Sequence, residues 1–270
     1  MKTFSLKDAE KKLQDVWGYP SFRPGQDKAI SSLLEGRHTL VLFPTGGGKS
    51  LCYQVPALLF DGFTLVISPL VALMQDQVDQ LKKKGVRATF INSTLPGYEV
   101  EQRLVNARNG MYRLLYVAPE RLSTELWKNQ LPQMHISCVA IDEAHCISEW
   151  GHSFRPSYRS IRDDLSDLPG ETRWIALTAT ATPEVKEDIL KNLAFENPNV
   201  IASGFGRENL KWWVNETSQK QAMLLSAAKK ASARGSGIVY CSTRRDCEQW
   251  AERFRAHGID AKAYHAGLSS

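Results

Sequence analysis

The segment Thr45-Gly46-Gly47-Gly48-Lys49-Ser50 has the residue types and spacing of a loop that binds the phosphates of a nucleotide. Successive glycines let backbone N–H groups converge on phosphate oxygens, and a helix that begins directly after them adds its positive dipole end. Lys49 would supply positive charge, and Ser50 would supply a hydroxyl ligand for Mg²⁺. The segment therefore predicts a nucleotide site.

The surroundings of this loop support the prediction. The apolar run 38–43 predicts a strand before it, and a helix is expected from Lys49 onward. The usual signature begins with a small residue six positions before the lysine, where this chain has Phe43, so the match is to the helicase variant of the loop. An ordinary glycine-rich turn that opens a helix is the alternative interpretation.

Two adjacent acids, Asp142 and Glu143, follow the apolar run 136–141, which predicts a buried strand. Carboxylates at the end of a buried strand are costly unless they meet a cation or perform chemistry. Asp142 suits an outer ligand of the Mg²⁺ held by Ser50, and Glu143 suits a base that orients water against a γ-phosphate. The alternative is an acid pair that only caps the next helix. Together with the phosphate loop, the pair predicts hydrolysis of a nucleoside triphosphate.

The elements that must position these residues can be read from the alternation of apolar runs and helical patterns. The runs that predict strands are 38–43, 63–68, 87–91, 113–118, 136–141, 174–177, 199–202, 237–241 and 260–264. Helical patterns lie between them, for example over 70–83 and 183–193. This alternation predicts an α/β fold with a parallel sheet covered by helices on both faces, whose ligands collect at the carboxyl ends of the strands.

The alternation lapses near 204–218, which predicts an interdomain linker. We therefore expect a first, ATP-binding domain over 1–203 and the N-terminal part of a second domain over 219–270. The 52 residues of the second segment are fewer than a typical domain contains, so we expect that domain to be incomplete.

Composition limits the classes of protein. The chain has 270 residues, of which 43% are hydrophobic and 23% charged, as in ordinary globular proteins. The charged N-terminus and the absence of a long apolar run indicate neither a signal peptide nor a membrane span. We expect an intracellular protein, in the cytoplasm or nucleoid of a bacterium or in the nucleus of a eukaryote, without a membrane partner.

Charge and cysteines add weaker signals. The net charge of +5 arises in 219–270, which holds nine Lys or Arg against four Asp or Glu, and this bias favours polyanions only weakly. Five cysteines without a C-x-x-C pair predict reduced structural thiols and neither a disulfide framework nor a zinc site.

Further segments accompany the phosphate loop and the motif Asp142-Glu143-Ala144-His145. They are Tyr19-x-x-Phe22-Arg23-Pro24-Gly25-Gln26, Ser68-Pro69-Leu70, Asn92-Ser93, Ala118-Pro119-Glu120-Arg121-Leu122, Trp150-Gly151-His152-x-Phe154-Arg155-Pro156-x-Tyr158, Leu177-Thr178-Ala179-Thr180-Ala181-Thr182, Ile238-Val239-Tyr240-Cys241 and Tyr264-His265-Ala266-Gly267-Leu268. This set resembles the superfamily-two helicases and, over the full length of the chain, the RecQ family of DNA helicases. The resemblance implies a RecA-like P-loop NTPase fold followed by a second RecA-like domain, ATP and Mg²⁺ as cofactors, and single-stranded and forked duplex DNA as partners.

The resemblance also implies roles for individual residues. The adenine ring would be contacted by Tyr19, Arg23 and Gln26. DNA would be bound by Ser68, Pro69, Asn92, Ser93, Pro119, Glu120, Arg121, Trp150, His152 and Phe154. Coupling of hydrolysis to DNA would involve His145, Thr178, Thr180 and Arg155.

The same residues have structural interpretations that the sequence leaves open. Arg23-Pro24-Gly25 fits the start of a helix, and the turns at Ser68-Pro69 and Ala118-Pro119 are common where strands end. The aromatic segment 150–158 suits stacking on nucleic acid bases but also fits a small aromatic cluster. Its glycine and proline favour an exposed loop.

Two departures from the family pattern qualify the resemblance. Glu208 stands where proline is usual in the linker, which puts the stiffness of the linker in doubt. The chain also ends just after Leu268, before the part of the second domain in which this family carries its arginine fingers. Because an arginine finger contributes about 10³ to 10⁵ in turnover, we expect this chain to bind ATP weakly and hydrolyse it poorly.

The function expected from the sequence is that of an ATP-dependent DNA helicase of recombination and repair, moving 3′ to 5′ by resemblance. The alternative is a non-catalytic DNA- or partner-binding protein that retains the motor fold. A metabolic phosphate-loop kinase is less consistent with the sequence, because it would not account for the segment 150–158.

Overall fold

The computed structural model describes residues 4–150, 153–179, 181–204 and 210–268. The chain divides into two compact units, 1–206 and 207–270, which are treated separately below. Much of the predicted linker motif, including Glu208, lies outside the described residues, so the domain limits 1–203, 204–218 and 219–270 stay predictions. Among the helices of the described ranges, none is both long enough and apolar enough to span a membrane.

One parallel sheet of seven strands forms the centre of the first unit, in the order β3-β4-β2-β5-β6-β1-β7. Every pair of neighbouring strands runs parallel. The strands are β1 (Thr39–Leu42), β2 (Phe63–Ile67), β3 (Ala88–Ile91), β4 (Leu114–Val117), β5 (Ile136–Ile141), β6 (Arg173–Thr178) and β7 (Asn199–Ala202). The predicted α/β class and the seven strands expected in this unit are confirmed.

Helices connect these strands. They are α1 (Leu6–Trp17), α2 (Gln26–Leu34), α3 (Leu51–Ala57), α4 (Val71–Lys83), α5 (Gly97–Arg108), α6 (Glu125–Gln130), α7 (Pro156–Arg159), α8 (Ile161–Asp164) and α9 (Pro183–Asn192). The start of α9 follows its sequence signal, because Thr182 caps the helix by accepting a hydrogen bond from the Val185 amide and Pro183 occupies the first turn. The helix predicted from Lys49 begins two residues later, at Leu51.

Side-chain alternation along the strands builds two cores, one on each face of the sheet. In β5, Val139 and Ile141 enter the core shared with α5, α6 and α9, whereas Cys138 and Ala140 enter the core shared with α1 to α4. Successive residues of a strand point to opposite faces, so a strand buried on both sides reads as a continuous apolar run. This is why the strands of the first unit were visible in the sequence.

The second unit differs from the prediction. Its described residues form α10 (Lys220–Ser232) and α11 (Arg244–Ala256), and the strands predicted at 237–241 and 260–264 are wrong, since the described part of this unit contains no strand. The side chains of Tyr240 and Tyr264 are both 92% exposed. Two short strands form a stable sheet only when further strands or a covering layer pack against them. The apolar composition of 237–241 and 260–264 predicts strands but does not supply such a neighbour.

Leu65 tests the two-sided burial of the sheet. It is fully buried in β2, between β4 and β5, so Leu65→Ala removes apolar contacts and leaves a cavity. We expect the free energy of unfolding of the first unit to fall by about 2–5 kcal/mol. The matched control is Val200→Ala in the edge strand β7, where the side chain is partly exposed and the loss should stay within about 0.5 kcal/mol. Urea denaturation followed by far-ultraviolet circular dichroism measures both; similar losses would contradict this account.

Candidate active site

The residues predicted to do chemistry follow neighbouring strands at one edge of the sheet. The phosphate loop follows β1, Asp142 follows β5, and Thr178 ends β6, which lies between them. Further along the same edge, Ser68 follows β2 and Asn92 follows β3. Because all strands run parallel, their carboxyl ends meet at this edge. Residues far apart in sequence are thereby brought into one row.

The phosphate loop adopts a conformation that requires its glycines. Gly46 and Gly48 both have φ of +76°, in the left-handed region that favours glycine. A side chain on Gly47 would approach the Pro44 carbonyl to 2.9 Å, and one on Gly48 would collide with the Gln26 amide. The ammonium of Lys49 donates a hydrogen bond to the Phe43 carbonyl, with Nζ 3.2 Å from the oxygen.

Phe43, the residue that departs from the strict signature, has a structural role. Its ring is buried and packs under Gly25, where a Cβ would come within 2.9 Å of the ring carbon Cζ. Gly25 itself has φ of +90° and precedes the first residue of α2. The aromatic ring therefore supports the segment that lies beside the phosphate loop.

Arg23 and Gln26, predicted to contact adenine, hold that segment against the phosphate loop. Arg23 Nη1 donates to the Gly46 carbonyl and Gln26 Nε2 donates to the Gly48 carbonyl, each at 2.9 Å. The Gln26 Oε1 atom accepts from the Arg23 amide at 2.8 Å. Gln26 is buried, whereas the Tyr19 ring is 51% exposed. The helix-start interpretation also holds, because α2 begins at Gln26.

A cleft of about 520 Å³ joins these groups to the acid pair. Its lining contains the predicted residues Tyr19, Arg23, Gln26, Gly46, Gly48, Lys49, Ser50, Asp142 and Glu143, and also Trp17, Pro20, Ser21, Leu51, Gln54, Leu70, Leu73 and Gln77. The wall contributed by α4 was not predicted. A signal existed, since the spacing of Leu70, Leu73 and Gln77 puts them on one helical face beside the buried stripe of α4.

Hydrogen bonds hold the backbone of Asp142 at the end of β5. The Asp142 amide donates to the Ile67 carbonyl at 2.8 Å, and the buried Tyr158 hydroxyl donates to the Asp142 carbonyl at 3.0 Å. Glu143 has φ of +49°, a left-handed conformation that costs a non-glycine residue about 1–3 kcal/mol. Such strain persists only where the surroundings hold it, and it occurs most often at functional sites.

The two acids have different electrostatic environments. Burial raises the pKa of Asp142 to about 6, and the negative charge of Glu143 adds to this effect. A hydrogen bond with His145 lowers the pKa of Glu143, assisted by the positive charge of Lys49. Glu143 therefore remains an ionised carboxylate at neutral pH, and Asp142 carries a charge that would be relieved by a cation.

His145 connects Glu143 to the end of β6. Its Nδ1 atom lies 3.3 Å from Glu143 Oε2 and 3.0 Å from Thr178 Oγ1. The sulfur of Cys146 and the carboxylate of Glu143 raise the pKa of His145. Among the residues expected to couple hydrolysis to DNA, His145 and Thr178 are thus in direct contact. Thr180 lies outside the described residues.

The residues predicted to bind DNA along β2, β3 and β4 are unevenly exposed. Ser93 and Glu120 are exposed, and Arg121 is partly buried with Nη2 donating to the Asn92 carbonyl at 2.9 Å. The side chains of Ser68, Pro69, Asn92 and Pro119 are buried. Asn92 Oδ1 accepts from the Thr94 amide at 3.0 Å, so its side chain shapes the turn after β3. Strand-end packing encloses these four side chains, and their contact with DNA stays a prediction.

The aromatic segment divides into exposed and buried members. Trp150 is 79% exposed and Phe154 is partly buried, whereas Tyr158 lies in the core under the acid pair. Arg155 Nη1 donates to the Pro69 carbonyl at 3.1 Å, which links this segment to the loop after β2. Gly151 and His152 lie outside the described residues. Tyr158 thus has a packing role in the core, while stacking of Trp150 on nucleic acid bases stays a prediction.

Asp142 offers a test of the electrostatics without any ligand. Its pKa is about 6 in the folded chain and near 3.8 when unfolded, so at neutral pH the folded state carries a charge that burial disfavours. At about 1.4 kcal/mol per pKa unit, this penalty is on the order of 2–3 kcal/mol. We expect Asp142→Asn to stabilise the metal-free protein by up to that amount at pH 7.5, measured by urea denaturation.

The stabilisation by Asp142→Asn should depend on pH, because Asp142 takes up its proton at a higher pH in the folded state than in the unfolded state. Below pH 6 the folded carboxyl takes up a proton and the penalty declines, until it disappears below about pH 4. The advantage of Asp142→Asn should therefore shrink between pH 7.5 and pH 5. The control is Asp167→Asn, on an exposed loop residue, which should show neither effect. A stabilisation that grows towards pH 5 would contradict the burial argument.

The sequence of residues 23–189 matches the family model of the DEAD/DEAH box helicases. Among curated proteins, the ATP-dependent DNA helicase RecQ of Bacillus subtilis is 44% identical over 265 residues, covering 98% of this chain and 45% of that protein. The protein of the same name from Pasteurella multocida is 43% identical over 258 residues, covering 96% of this chain and 40% of the relative. The chain thus spans less than half the length of these relatives.

Solved structures show the same fold. The helicase Lhr of Mycobacterium smegmatis, bound to single-stranded DNA and AMP-PNP, aligns with a TM-score of 0.65 at 20% identity, over 99% of this chain and 39% of Lhr. A hypothetical ATP-dependent RNA helicase from Sulfolobus tokodaii aligns with a TM-score of 0.58 at 20% identity, over 92% of this chain and 72% of that one. The chain therefore belongs to the DEAD/DEAH box helicase family, and within it the predicted relationship to the RecQ helicases is confirmed.

Proposed function

We propose that this chain carries the ATP-binding and ATP-hydrolysing motor domain of an ATP-dependent DNA helicase. One observation carries the proposal: a single cleft is lined by Tyr19, by four residues of the phosphate loop, and by the pair Asp142 and Glu143. The four loop residues are Gly46, Gly48, Lys49 and Ser50. These groups come from three separate parts of the sequence and correspond to the base, the phosphates and the hydrolytic chemistry of a nucleoside triphosphate. An accidental glycine-rich turn would not be accompanied by the other two sets.

The base would lie against Tyr19. Its half-exposed ring offers a stacking face, while hydrogen bonds to the phosphate loop hold Arg23 and Gln26 beside it. The same hydrogen bonds hold the loop carbonyls of Gly46 and Gly48, and the Gly47 amide donates to the Pro44 carbonyl at 2.9 Å, so the loop is held in one conformation. Phosphate oxygens would be bound by backbone amides of this loop. Lys49 would exchange its contact with the Phe43 carbonyl for the phosphate charge.

Ser50 and Asp142 fit a Mg²⁺ site, because both line the cleft and both offer oxygen ligands. The fit is supported by the electrostatics, because burial and the charge of Glu143 raise the pKa of Asp142 and a divalent cation would offset both effects. Bound Mg²⁺ would neutralise charge that develops on the phosphates.

Glu143 would orient the attacking water. Its ionised carboxylate accepts hydrogen bonds, and its strained backbone with the contact to His145 holds the group in one place. A preorganised acceptor of this kind contributes more to hydrolysis than a mobile one. His145 would in turn report the state of Glu143 to Thr178.

DNA would bind along the remainder of the same edge, over the loops that follow β2, β3 and β4. Ser93 and Glu120 are exposed there, and Trp150 would add a stacking surface. Single-stranded and forked substrates, movement from 3′ to 5′, and a role in recombination and repair belong to this proposal. They would be properties of a protein of which this chain supplies the motor portion.

Glu143→Gln tests the hydrolytic role. The amide retains the size of the side chain but is not a base, so Mg²⁺·ATP should bind with unchanged affinity while hydrolysis slows by about 10²- to 10⁴-fold. Single-turnover assays with protein in excess over labelled ATP detect even a slow reaction. The control is Glu101→Gln, on the exposed surface of α5.

The outcomes separate the two candidate functions. Hydrolysis that survives in Glu143→Gln would remove Glu143 from the water-orienting role. If the unaltered protein binds DNA but neither binds nor hydrolyses ATP, the non-catalytic alternative is correct.

Trp150→Ala tests the stacking role of the aromatic segment. Loss of one stacked base should weaken binding of single-stranded DNA by about 5- to 150-fold, corresponding to 1–3 kcal/mol. Affinity for nucleotide and hydrolysis without DNA should not change, because Trp150 is absent from the lining of the cleft. Met111→Ala is the control, since Met111 is also exposed and apolar but precedes β4 at the opposite edge of the sheet. Equal loss of DNA binding and basal hydrolysis would favour a packing role for Trp150.

A further inference from the structure

Helix α4 forms a wall of the nucleotide cleft that the roles proposed above leave unused. Leu73 and Gln77 on this helix, with Leu70 just before it, line the same cleft as Tyr19, Arg23 and Gln26. The helix is anchored by a neighbouring stripe of buried residues that includes Met74 and Val78. These residues pack into the core, and the more exposed face of the helix, with Leu73 and Gln77, can contact a bound nucleotide.

A partly buried hydrogen bond connects α4 to α3, the helix that follows the phosphate loop. The Tyr53 hydroxyl donates to Gln77 Oε1 at 3.2 Å. Tyr53 lies in α3, three residues after Ser50, and is fully buried. Burial raises the pKa of this phenol well above its usual value, so the hydroxyl keeps its proton and stays a donor.

The same network continues into the sheet. Gln54, next to Tyr53 in α3, donates from Nε2 to the Tyr116 hydroxyl at 3.0 Å, and Tyr116 belongs to β4. The rings of Tyr53 and Tyr116 pack edge to face, with centroids 6.5 Å apart. Polar groups in a core are costly unless satisfied, so a connected set of this kind holds its members in one arrangement.

The N-terminal end of α4 lies at the proposed DNA edge. The helix begins directly after Ser68-Pro69-Leu70, and the Pro69 carbonyl accepts the hydrogen bond from Arg155 of the aromatic segment. A strand of nucleic acid that contacts this loop would therefore act on the start of a helix whose first two turns carry Leu73 and Gln77 to the cleft.

We propose that α4 couples the DNA edge to the nucleotide cleft, with Gln77 and Tyr53 as the positioning residues that carry a displacement of α4 to the helix beginning beside Ser50. This inference rests on the proposed function and adds a connection distinct from the contact between His145 and Thr178. A helix moves as a rigid element, so a shift at Leu70 also shifts Gln77. Coupling of this kind is reciprocal: DNA must change nucleotide affinity by the same factor as nucleotide changes DNA affinity.

The experiment measures the dissociation constant of a fluorescent, non-hydrolysable ATP analogue with Mg²⁺, with and without saturating oligothymidylate. The ratio of the two constants is the coupling ratio. Tyr53→Phe removes only the hydroxyl and retains the buried ring, while Gln77→Ala removes its partner. Each should bring the coupling ratio towards one by about twofold to tenfold, the contribution of one hydrogen bond. The double variant should lose less than the sum of the two single variants, since both remove the bond between Tyr53 and Gln77.

Gln80→Ala is the matched control, an exposed glutamine on the same helix outside the lining of the cleft, and it should leave the ratio unchanged. Thermal melts establish that all variants are folded. If Tyr53→Phe and Gln77→Ala weaken nucleotide binding equally with and without DNA, the bond is merely structural and the inference is wrong. It is also wrong if the unaltered protein binds both ligands with a coupling ratio of one. Failure of the unaltered protein to bind nucleotide at all would instead overturn the proposed function.

Discussion

The parallel direction of the seven strands is the constraint on which the rest of the structure depends. It brings the segments after β1, β5 and β6 to one part of the edge, where the candidate active site lies, and those after β2, β3 and β4 to the adjoining part. One reversed strand would send its residues to the opposite edge of the sheet. Parallel strands must be buried on both faces, so the two cores on either side maintain the arrangement that positions the chemistry.

The site is held in place at an energetic cost. Glu143 adopts a left-handed backbone and Asp142 keeps a carboxylate in a partly buried position, and both features lower the stability of the folded chain. Hydrogen bonds from surrounding residues prevent relaxation; the Tyr158 hydroxyl, for example, fixes the Asp142 carbonyl. The apolar cores offset these costs, so both acids keep their places at the cleft.

Structural and catalytic interpretations of the same residue need not exclude each other. Gln26 begins α2, as the helix-start interpretation requires, and its amide also holds the phosphate loop through Gly48. The aromatic segment divides in the same way: Trp150 faces solvent, and Tyr158 packs in the core under Asp142. A residue pattern in sequence indicates which side chains belong together, but each side chain takes the role that its own burial permits.

The sequence by itself determined the α/β class, the seven strands of the first unit and the acid and glycine motifs, because these follow from local periodicity, turn chemistry and residue type. Tertiary structure decided which side chains are buried, which residues line the cleft and which apolar runs pair as strands. It buried Ser68 and Asn92 at the strand ends, and it made α4 a wall of the cleft through Leu73 and Gln77. It also left 237–241 without strand structure, since an apolar run becomes a strand only where a neighbouring strand satisfies its backbone. Periodicity is encoded within a few residues of sequence, whereas burial and pairing arise only when distant segments meet.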